Sequence, residues 1–209
     1  MKAVVTKIKA RRERLLTRDD YMAACRRGQQ MAAPPPLAED IRMIGHYIKG
    51  VVFPIEDKPC RESLKRVRGM ELDLRNILWI WRLKTFHGVD GDAVFPFLSP
   101  HRYRLGVDEI RRMAHARSAQ EFSQIVGGTV YDEVFGGEFS KGGVTALLGE
   151  QALARAVTAQ YRRESRHCDF ALIYSYLYAR SLEIKNIGAI NEGLQRGLSD
   201  DDIFLHLYV

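Results

Sequence analysis

The sequence predicts an all-α fold built from two related helical lobes. In the longer segments, apolar residues recur at intervals of three, four or seven, as they do on the buried face of a helix. Glycine and proline collect between these segments, where they interrupt helices. The hexamers LDLRNI (72–77) and LEIKNI (182–187) share one pattern and lie about 110 residues apart, which indicates an internal repeat.

The chain begins with two predicted helices. Residues 3–16 follow the helical period. Thr17 is predicted to be the N-cap of a short second helix that ends near Arg26. Asp20, three residues after Thr17, gives the spacing of a capping box, in which the two residues satisfy each other's backbone N–H groups.

A linker and a long helix are predicted next. The segment GQQMAAPPP (28–36) is predicted to be a linker, because three consecutive prolines cannot continue a helix. Helical spacing then predicts a helix over 37–50 and a longer one over 60–86, whose apolar stripe should be core. Residues 87–106 have glycines, prolines and no period, so an irregular crossover is expected there.

Five more helices complete the prediction. Ser118 and Glu121 have capping-box spacing, and Ser199 is predicted to cap the last helix. The helices are predicted over 107–116, 118–126, 144–165, 168–195 and from 199 through 206.

The predicted domain organisation has three parts. Residues 1–36 hold the basic N-terminal helices and the proline-rich linker. Residues 37–106 form the first helical lobe with its crossover, and 107–209 form the second lobe.

The net charge of +6 is concentrated at the start of the chain. Residues 1–30 contain nine Lys or Arg and three Asp or Glu, so the remainder is neutral. This segment is either a solvated helix surface or a contact for phosphates, anionic lipid or an acidic protein face. A helical nucleic-acid-binding protein is therefore the alternative function.

Compartment and redox state follow from two further features. No apolar run approaches the roughly 18 residues that a membrane span needs, and the N-terminus has no signal-peptide pattern. A cytosolic or peripheral membrane protein is expected. Cys25, Cys60 and Cys168 are odd in number and lack a C-x-x-C pair, so free thiols are expected.

The sequence predicts no catalytic, cofactor-binding or metal-binding residue. The histidines are scattered, and the adjacent pair His167 and Cys168 would point about 100° apart on a helix, which makes a poor chelate. No histidine can be assigned as a base beside any cysteine. The glycine-rich stretch 127–143 lacks the G-x-x-x-x-G-K-[ST] pattern of a phosphate loop.

Asn76 and Asn186 stand out within the repeated hexamers. An asparagine between aliphatic residues in mid-helix is costly unless its amide is hydrogen-bonded. It either makes an inter-helix bond that fixes packing within its lobe or contacts a partner. In each hexamer the acid and base are two residues apart and cannot pair on one helix face. Asp73 and Glu183, with their basic neighbours, are therefore expected to bridge to adjacent helices.

Aromatic residues are interpreted as packing groups. Trp79 and Trp81 lie on roughly opposite sides of one predicted helix, so one should be core and the other an inter-helix or partner contact. Tyr174, Tyr176 and Tyr178 spread around their helix and are assigned to packing.

Two segments in the first half resemble the C/d family of V-type ATPase subunits. RLLTRDDY (14–21) looks like the R-L-L-[ST]-x-[ED]-[DE]-[YF] opening of these proteins. ELDLRNI (71–77), followed by RLK (82–84), is similar to the acidic-x-x-N-[IL]…R-x-K helix of their lobes.

The second half carries two more resemblances in the family's order. Residues 118–122 with GTVY (128–131) resemble the element that starts a new lobe. EIKNI (183–187), followed by GLSDDDI (197–203), looks like the closing signature.

The resemblance implies a non-catalytic protein that acts through its shape. Family members have three pseudo-symmetric helical lobes, which form a socket between the central stalk and the membrane proteolipid ring of a rotary ATPase. The complex carries out ion transport, such as proton transport. With about two lobes, this chain is identified as a shortened member. Its implied partners are the proteins of the stalk and ring at the cytoplasmic face of the membrane, reached peripherally, and no cofactor or nucleic acid is expected.

Overall fold

A computed structural model describes residues 2–32, 57–135 and 145–209. Within these ranges the regular structure is entirely helical, which confirms the predicted all-α class. The helices are α1 (Lys2–Arg12), α2 (Arg18–Arg26), α3 (Lys58–His87), a 3₁₀ helix (Gly91–Phe97), α4 (Val107–His115), α5 (Ala119–Gly127), α6 (Asp132–Phe135), α7 (Ala146–Glu164), α8 (Asp169–Gln195) and α9 (Asp200–Leu205).

Local capping explains several helix ends. The Thr17 backbone N–H donates to Asp20 Oδ2 at 2.8 Å and the Asp20 N–H donates to Thr17 Oγ1, so the predicted capping box is confirmed. Ser199 caps α9 as predicted. Ser118 caps α5, but the Glu121 carboxylate accepts from the Arg117 N–H, so only half of that capping box forms.

Three predicted boundaries differ from the structure. Helix α1 ends at Arg12 rather than near residue 16. Helix α3 spans Lys58–His87 rather than the predicted 60–86. It ends just before Gly88, whose φ of 62° is left-handed and favours glycine. The crossover predicted to be irregular contains the 3₁₀ helix Gly91–Phe97, capped by the Asp90 side chain. The predicted helix 37–50, residues 33–36 of the predicted linker with its three prolines, and the glycine pairs at 136–143 lie outside the described residues.

The chain divides into two compact units at boundaries inside α3 and α7. One comprises the chain up to Ser63 together with Thr158–Val209, and the other is Leu64–Val157. These units do not coincide with the predicted domains 37–106 and 107–209, because the beginning and the end of the chain pack together. The predicted domains remain a prediction.

The first unit is organised around α8. Helix α1 packs Val5 and Ile8 against α8 residues, and Ile8 is fully buried. On another part of α8, the residues of α2 and α9 form a second cluster that includes Tyr21 and Ile203. A Cβ on Gly193 would lie 2.5 Å from Ile203 Cγ1, so glycine allows α9 to approach α8 closely. Burial of each isoleucine contributes roughly 1.5–3 kcal/mol.

The second unit is organised around α3. The apolar stripe predicted to be core is buried at Val67, Leu74, Leu78 and Trp81. The Trp81 and Phe122 rings lie 5.2 Å apart, centroid to centroid, and join α3 to α5. A Cβ on Gly69 would lie 2.4 Å from Tyr103 Cβ, so a glycine lets the segment after the 3₁₀ helix approach α3.

Candidate functional site

The Asn76 amide anchors the segment after the 3₁₀ helix. Asn76 is 1% exposed, and its side chain makes two hydrogen bonds with one residue. Its Nδ2 donates to the Ser99 carbonyl at 3.2 Å, and its Oδ1 accepts from the Ser99 N–H at 2.9 Å. The amide therefore holds a non-helical segment against the middle of α3.

The Asn186 amide does the same at the end of the chain. Asn186 is 2% exposed. Its Nδ2 donates to the Tyr208 carbonyl at 3.3 Å, and its Oδ1 accepts from the Tyr208 N–H at 2.8 Å. This pair of bonds holds the segment after α9 against α8.

The two asparagines thus have matching hydrogen-bond environments. Each binds both backbone groups of one later residue, 23 positions on for Asn76 and 22 for Asn186. The prediction that these amides are hydrogen-bonded is confirmed, but their partners lie in non-helical segments, so the predicted inter-helix bond is wrong. The equivalence extends to these contacts, and the two pseudo-repeated lobes stay a prediction.

Asp73 is the acid of the first hexamer. It is fully buried, and its carboxylate accepts backbone N–H bonds from Tyr103, Arg104 and Leu105 at 2.7–3.0 Å. The Tyr131 hydroxyl donates to it at 2.6 Å. Burial, together with this bond to Asp73, raises the pKa of Tyr131 above its usual value. Asp73 therefore joins α3 to two later segments of its unit.

Glu183 is the corresponding acid of the second hexamer. Its carboxylate accepts from the Leu16 N–H at 2.9 Å and pairs with Arg180. The basic neighbours of the two acids behave differently. Arg75 bonds Glu71 on its own helix, whereas the Lys185 Nζ lies 5.1 Å from the Tyr208 ring centroid. The two acids bond to non-helical segments, so the prediction that they and their basic neighbours bridge to adjacent helices is wrong for these bonds.

A third asparagine has the same bonding geometry and was missed in the sequence. Asn191 Oδ1 accepts from the Met31 N–H at 2.8 Å, and its Nδ2 donates to the Met31 carbonyl at 2.9 Å. The argument that selected Asn186, a costly amide in mid-helix, also applies to Asn191. The Asp73 to Tyr131 bond has no such signal, because 58 residues separate the partners.

The aromatic predictions can now be placed. Trp81 is 5% exposed, which confirms that one of the two is core, and Trp79 is 42% exposed, so its partner contact stays a prediction. The Arg82 guanidinium lies 5.2 Å from the Trp79 ring centroid and pairs with Glu150. Tyr176 is buried and the Tyr178 ring lies 5.6 Å from that of Tyr161, in line with their assignment to packing. Tyr174 is 36% exposed, so the assignment is wrong for Tyr174. The exposed Trp79 ring therefore lies beside the Arg82 guanidinium, which also pairs with Glu150.

The basic face of α1 is exposed while its apolar face is covered. Ile8 is buried against α8, but Lys7, Lys9 and Arg11 are exposed and Arg12 is half-buried. The apolar side chains that pack this helix against α8 are therefore different from the side chains that carry its charge. This separation of charge from packing makes the basic face a candidate contact surface.

A cavity of about 460 Å³ opens between the end of α3 and the start of α5. Trp81 and Phe122 supply its apolar part, and Lys84 and Arg117 are among its polar lining residues. The Lys84 ammonium donates to the Ala114 carbonyl at 2.6 Å and pairs with Asp90, so neighbouring groups hold it. The described lining contains neither cysteine nor histidine.

The expectation of three free thiols is wrong for two of them. Cys60 and Cys168 form a disulfide, with their Cα atoms 5.0 Å apart, a separation typical of such bonds. Cys25 is free and buried between α2 and its neighbours. The sequence offered no spacing signal, because 108 residues separate the joined cysteines.

Histidine and carboxylate side chains in the described ranges make only small local groups. His115 Nε2 lies 3.1 Å from Asp92 Oδ1, and His206 Nδ1 lies 2.7 Å from the Asp202 carbonyl oxygen. Across residues 2–32, 57–135 and 145–209, no three His, Cys, Asp or Glu side chains are grouped so that they could hold a metal ion. None of the described helices has the length and apolar character needed to cross a bilayer.

Comparison with known proteins gives one family. The profile of the ATP synthase (C/AC39) subunit family matches residues 52–204, which is more than half of the chain. No curated protein and no solved structure gave a match. The matched range contains Asn76, Asn186 and Asn191, and it ends inside α9.

Proposed function

The chain belongs to the ATP synthase (C/AC39) subunit family, and on this premise we propose that it couples the central stalk of a rotary V/A-type ATPase to the membrane proteolipid ring. The family is one of non-catalytic ATPase subunits. In this role the chain takes part in ATP-driven ion transport, such as proton transport, and associates peripherally with the membrane at its cytoplasmic face through its partners. The match over residues 52–204 is the observation that carries the proposal.

A protein that couples stalk to ring must transmit force without chemistry of its own. The three asparagine pairs support this role, because each ties a non-helical segment to one of the two longest described helices. Asp73 adds four further bonds to the second unit. Bonds of this kind resist slippage between a helix and the segment beside it, so a load on one is passed to the other.

Partner contacts are proposed at two exposed places. The Trp79 ring, beside Arg82, has the character of residues enriched in protein interfaces. The basic face of α1 provides long-range attraction toward acidic partner surfaces. Charges at the rim of an interface mainly alter the association rate and its salt dependence, while buried anchors set dissociation.

The decisive experiment is purification of the tagged chain from solubilised membranes of the source cell. Rotary ATPase stalk and ring subunits should be recovered with it in stoichiometric amounts. A parallel purification in which only the tag is expressed controls for adventitious capture. If rotary ATPase subunits are missing from a preparation that contains the intact tagged chain, the proposed function is wrong.

A charge variant tests the proposed use of α1. The variant replaces Lys7, Lys9, Arg11 and Arg12 with Gln. It should associate more slowly with stalk and ring subunits at low salt, because charges at the rim of an interface mainly set the association rate. Dissociation should stay nearly unchanged, since Val5 and Ile8 still pack α1 against α8. The association rate is measured by surface plasmon resonance over a salt series. The control variant neutralises four basic residues elsewhere, namely Lys65, Arg111, Arg112 and Arg163.

Two results would contradict this use of α1. Equal slowing in the control variant would mean that total charge, rather than the basic face of α1, sets the rate. The second result is that the wild type binds duplex DNA at physiological salt and the α1 variant fails to do so. This result would favour the nucleic-acid alternative, because Lys and Arg side chains bind DNA by neutralising its phosphates.

A further inference from the structure

The Cys60–Cys168 disulfide joins the beginnings of the two longest described helices. Cys60 lies in the first turn of α3, and Cys168 is the N-cap of α8. Both residues are 4% exposed. The bond lies within the first unit.

The position of this bond along the chain gives it a structural consequence. All of the second unit, Leu64–Val157, lies between Cys60 and Cys168. The disulfide therefore closes a covalent loop that contains the whole of this unit. When the bond is open, the chain entering the unit and the chain leaving it are held together by non-covalent contacts alone.

A cavity gives small molecules access to the two sulfur-bearing residues. Its volume is about 340 Å³, and both cysteines contribute to its lining. Arg166, His167 and Asp169 also line it and are exposed. Cys25, by contrast, is packed in the cluster formed by α2, α8 and α9. A small thiol therefore has a route to the disulfide through this cavity, and the packed cluster shields Cys25.

The surroundings of the two sulfurs differ. The Ala171 N–H points to Cys168 Sγ at 3.3 Å, at the N-terminus of the 27-residue helix α8. A helix N-terminus stabilises a thiolate and is common to both cysteines, whereas the N–H donor, which also stabilises a thiolate, lies beside Cys168. Cys60 has the carboxylate of Asp57 beside it, 3.2 Å from its backbone nitrogen. Negative charge is thus better accommodated on Cys168, which makes its sulfur the better leaving group.

We propose that Cys60 and Cys168 form a reversible redox site that exchanges with small-molecule thiols through this cavity. The thiolate of the small molecule attacks Cys60 Sγ, the S–S bond breaks, and the electron pair leaves on Cys168 as a thiolate. A second thiolate then attacks the small-molecule sulfur of the mixed disulfide, the bond to Cys60 Sγ breaks, Cys60 leaves as a thiolate, and the small-molecule disulfide is released. Two small thiols are oxidised to one disulfide, the protein disulfide is reduced to two thiols, and the protons come from the two attacking thiols. The reverse reaction uses the small-molecule disulfide as oxidant. This inference does not depend on the proposed function.

Opening the bond should loosen the first turn of α3. Arg61, which follows Cys60, and Arg166, close to Cys168, are exposed and are both cleavage sites for trypsin. Reduction should therefore speed trypsin cleavage after these two arginines. Sites distant from the bond, such as Arg111 on α4, should be cleaved at an unchanged rate.

The test uses the folded 209-residue chain. The chain is first incubated with oxidised glutathione, then treated with reduced glutathione without denaturant, alkylated with iodoacetamide and mapped by peptide mass spectrometry. Before reduction neither Cys60 nor Cys168 should be alkylated. After reduction both should be, and renewed addition of oxidised glutathione should protect both again. Cys25 should react only after denaturation.

Several outcomes would overturn the proposal. Alkylation of both cysteines after the oxidising step would show that no disulfide forms. A disulfide that yields only in denaturant would show that the cavity gives no access. Rapid acid quenching should trap glutathione on Cys60, and its predominant capture on Cys168 would overturn the direction of attack. Unchanged trypsin cleavage at Arg61 and Arg166 on reduction would overturn the structural consequence.

Single variants provide a matched control. In Cys60→Ser and Cys168→Ser one thiol remains at the cavity, so each variant should take up one glutathione as a mixed disulfide. Cys25→Ser should exchange like the wild type. Uptake at Cys25, or exchange lost in Cys25→Ser, would contradict the assignment of the site to the other two cysteines.

Discussion

The matching environments of Asn76 and Asn186 lead to a paired prediction about stability. Replacement of either residue with Ala removes two hydrogen bonds to one backbone residue. A neutral hydrogen bond contributes about 0.5–1.5 kcal/mol net, so two bonds contribute about 2 kcal/mol. Alanine recovers roughly 0.5 kcal/mol because it is the better helix former. Each variant should therefore lose about 1.5 kcal/mol in free energy of unfolding.

The assay is urea unfolding followed by far-ultraviolet circular dichroism, with thermal unfolding as a second measure. For a chain of this size, about 1.5 kcal/mol corresponds to a decrease in Tm of roughly 3–6 °C. The exposed changes Lys65→Ala on α3 and Gln195→Ala on α8 are controls, and each should stay within about 0.5 kcal/mol of the wild type.

Two results would refute the reasoning. If both asparagine variants unfold like the controls, the bonds to Ser99 and Tyr208 are replaced by water without cost. If only one variant is destabilised, the two asparagines are not equivalent, and the repeat that predicted them loses its support.

Three further predictions concern the buried acid, the helix cap and nucleotides. Tyr131→Phe should cost about 1.5–3 kcal/mol in urea unfolding, because it removes a hydrogen bond to a charged group. Asp73→Ala should cost more, since it leaves three backbone N–H groups without their acceptor, and equal losses in the two variants would contradict this. The backbone and side-chain hydrogen bonds from Thr17 hold the pKa of Asp20 below its usual value. The ionised Asp20 carboxylate therefore stabilises the fold at pH values above its pKa in the unfolded chain, and this stabilisation is lost as the pH falls through its pKa in the folded chain. The stability difference between the wild type and Asp20→Asn, measured by urea unfolding from neutral to acidic pH, should therefore shrink on acidification, and a constant difference would argue against the bond. The purified chain should neither bind nor hydrolyse ATP, because the sequence lacks a phosphate-loop pattern, and tight binding in a calorimetric titration would contradict this.

Much of the local structure was predictable because its causes lie within a few residues. The capping pairs of Thr17 with Asp20 and of Ser199 with Asp202 act over three positions, and both form as the sequence indicates. The apolar stripe of α3 follows the helical period, so its buried face could be predicted as well. The end of α1 at Arg12 was not predicted, and after it the Leu16 N–H donates to the Glu183 carboxylate on α8.

The residues of interest could also be chosen from the sequence, though not their partners. An asparagine in mid-helix needs a hydrogen-bond partner wherever it lies, which was sufficient to select Asn76 and Asn186. That each would bind both backbone groups of one later residue depends on how the chain returns to the helix. Asn191 shows this dependence most clearly, because its partner Met31 lies 160 residues away.

Helix class, helix positions, caps and the family resemblance were determined by the sequence itself, since periodicity, capping and short motifs act over short distances along the chain. The tertiary structure alone decided which distant segments meet. Leu16 reaches Glu183 across 167 residues, and Cys60 joins Cys168 across 108. Such pairs leave no periodic or spacing signal, because their contact depends on the folding of all the residues between them. For this reason the division into compact units, and the disulfide that encloses one of them, became visible only in three dimensions.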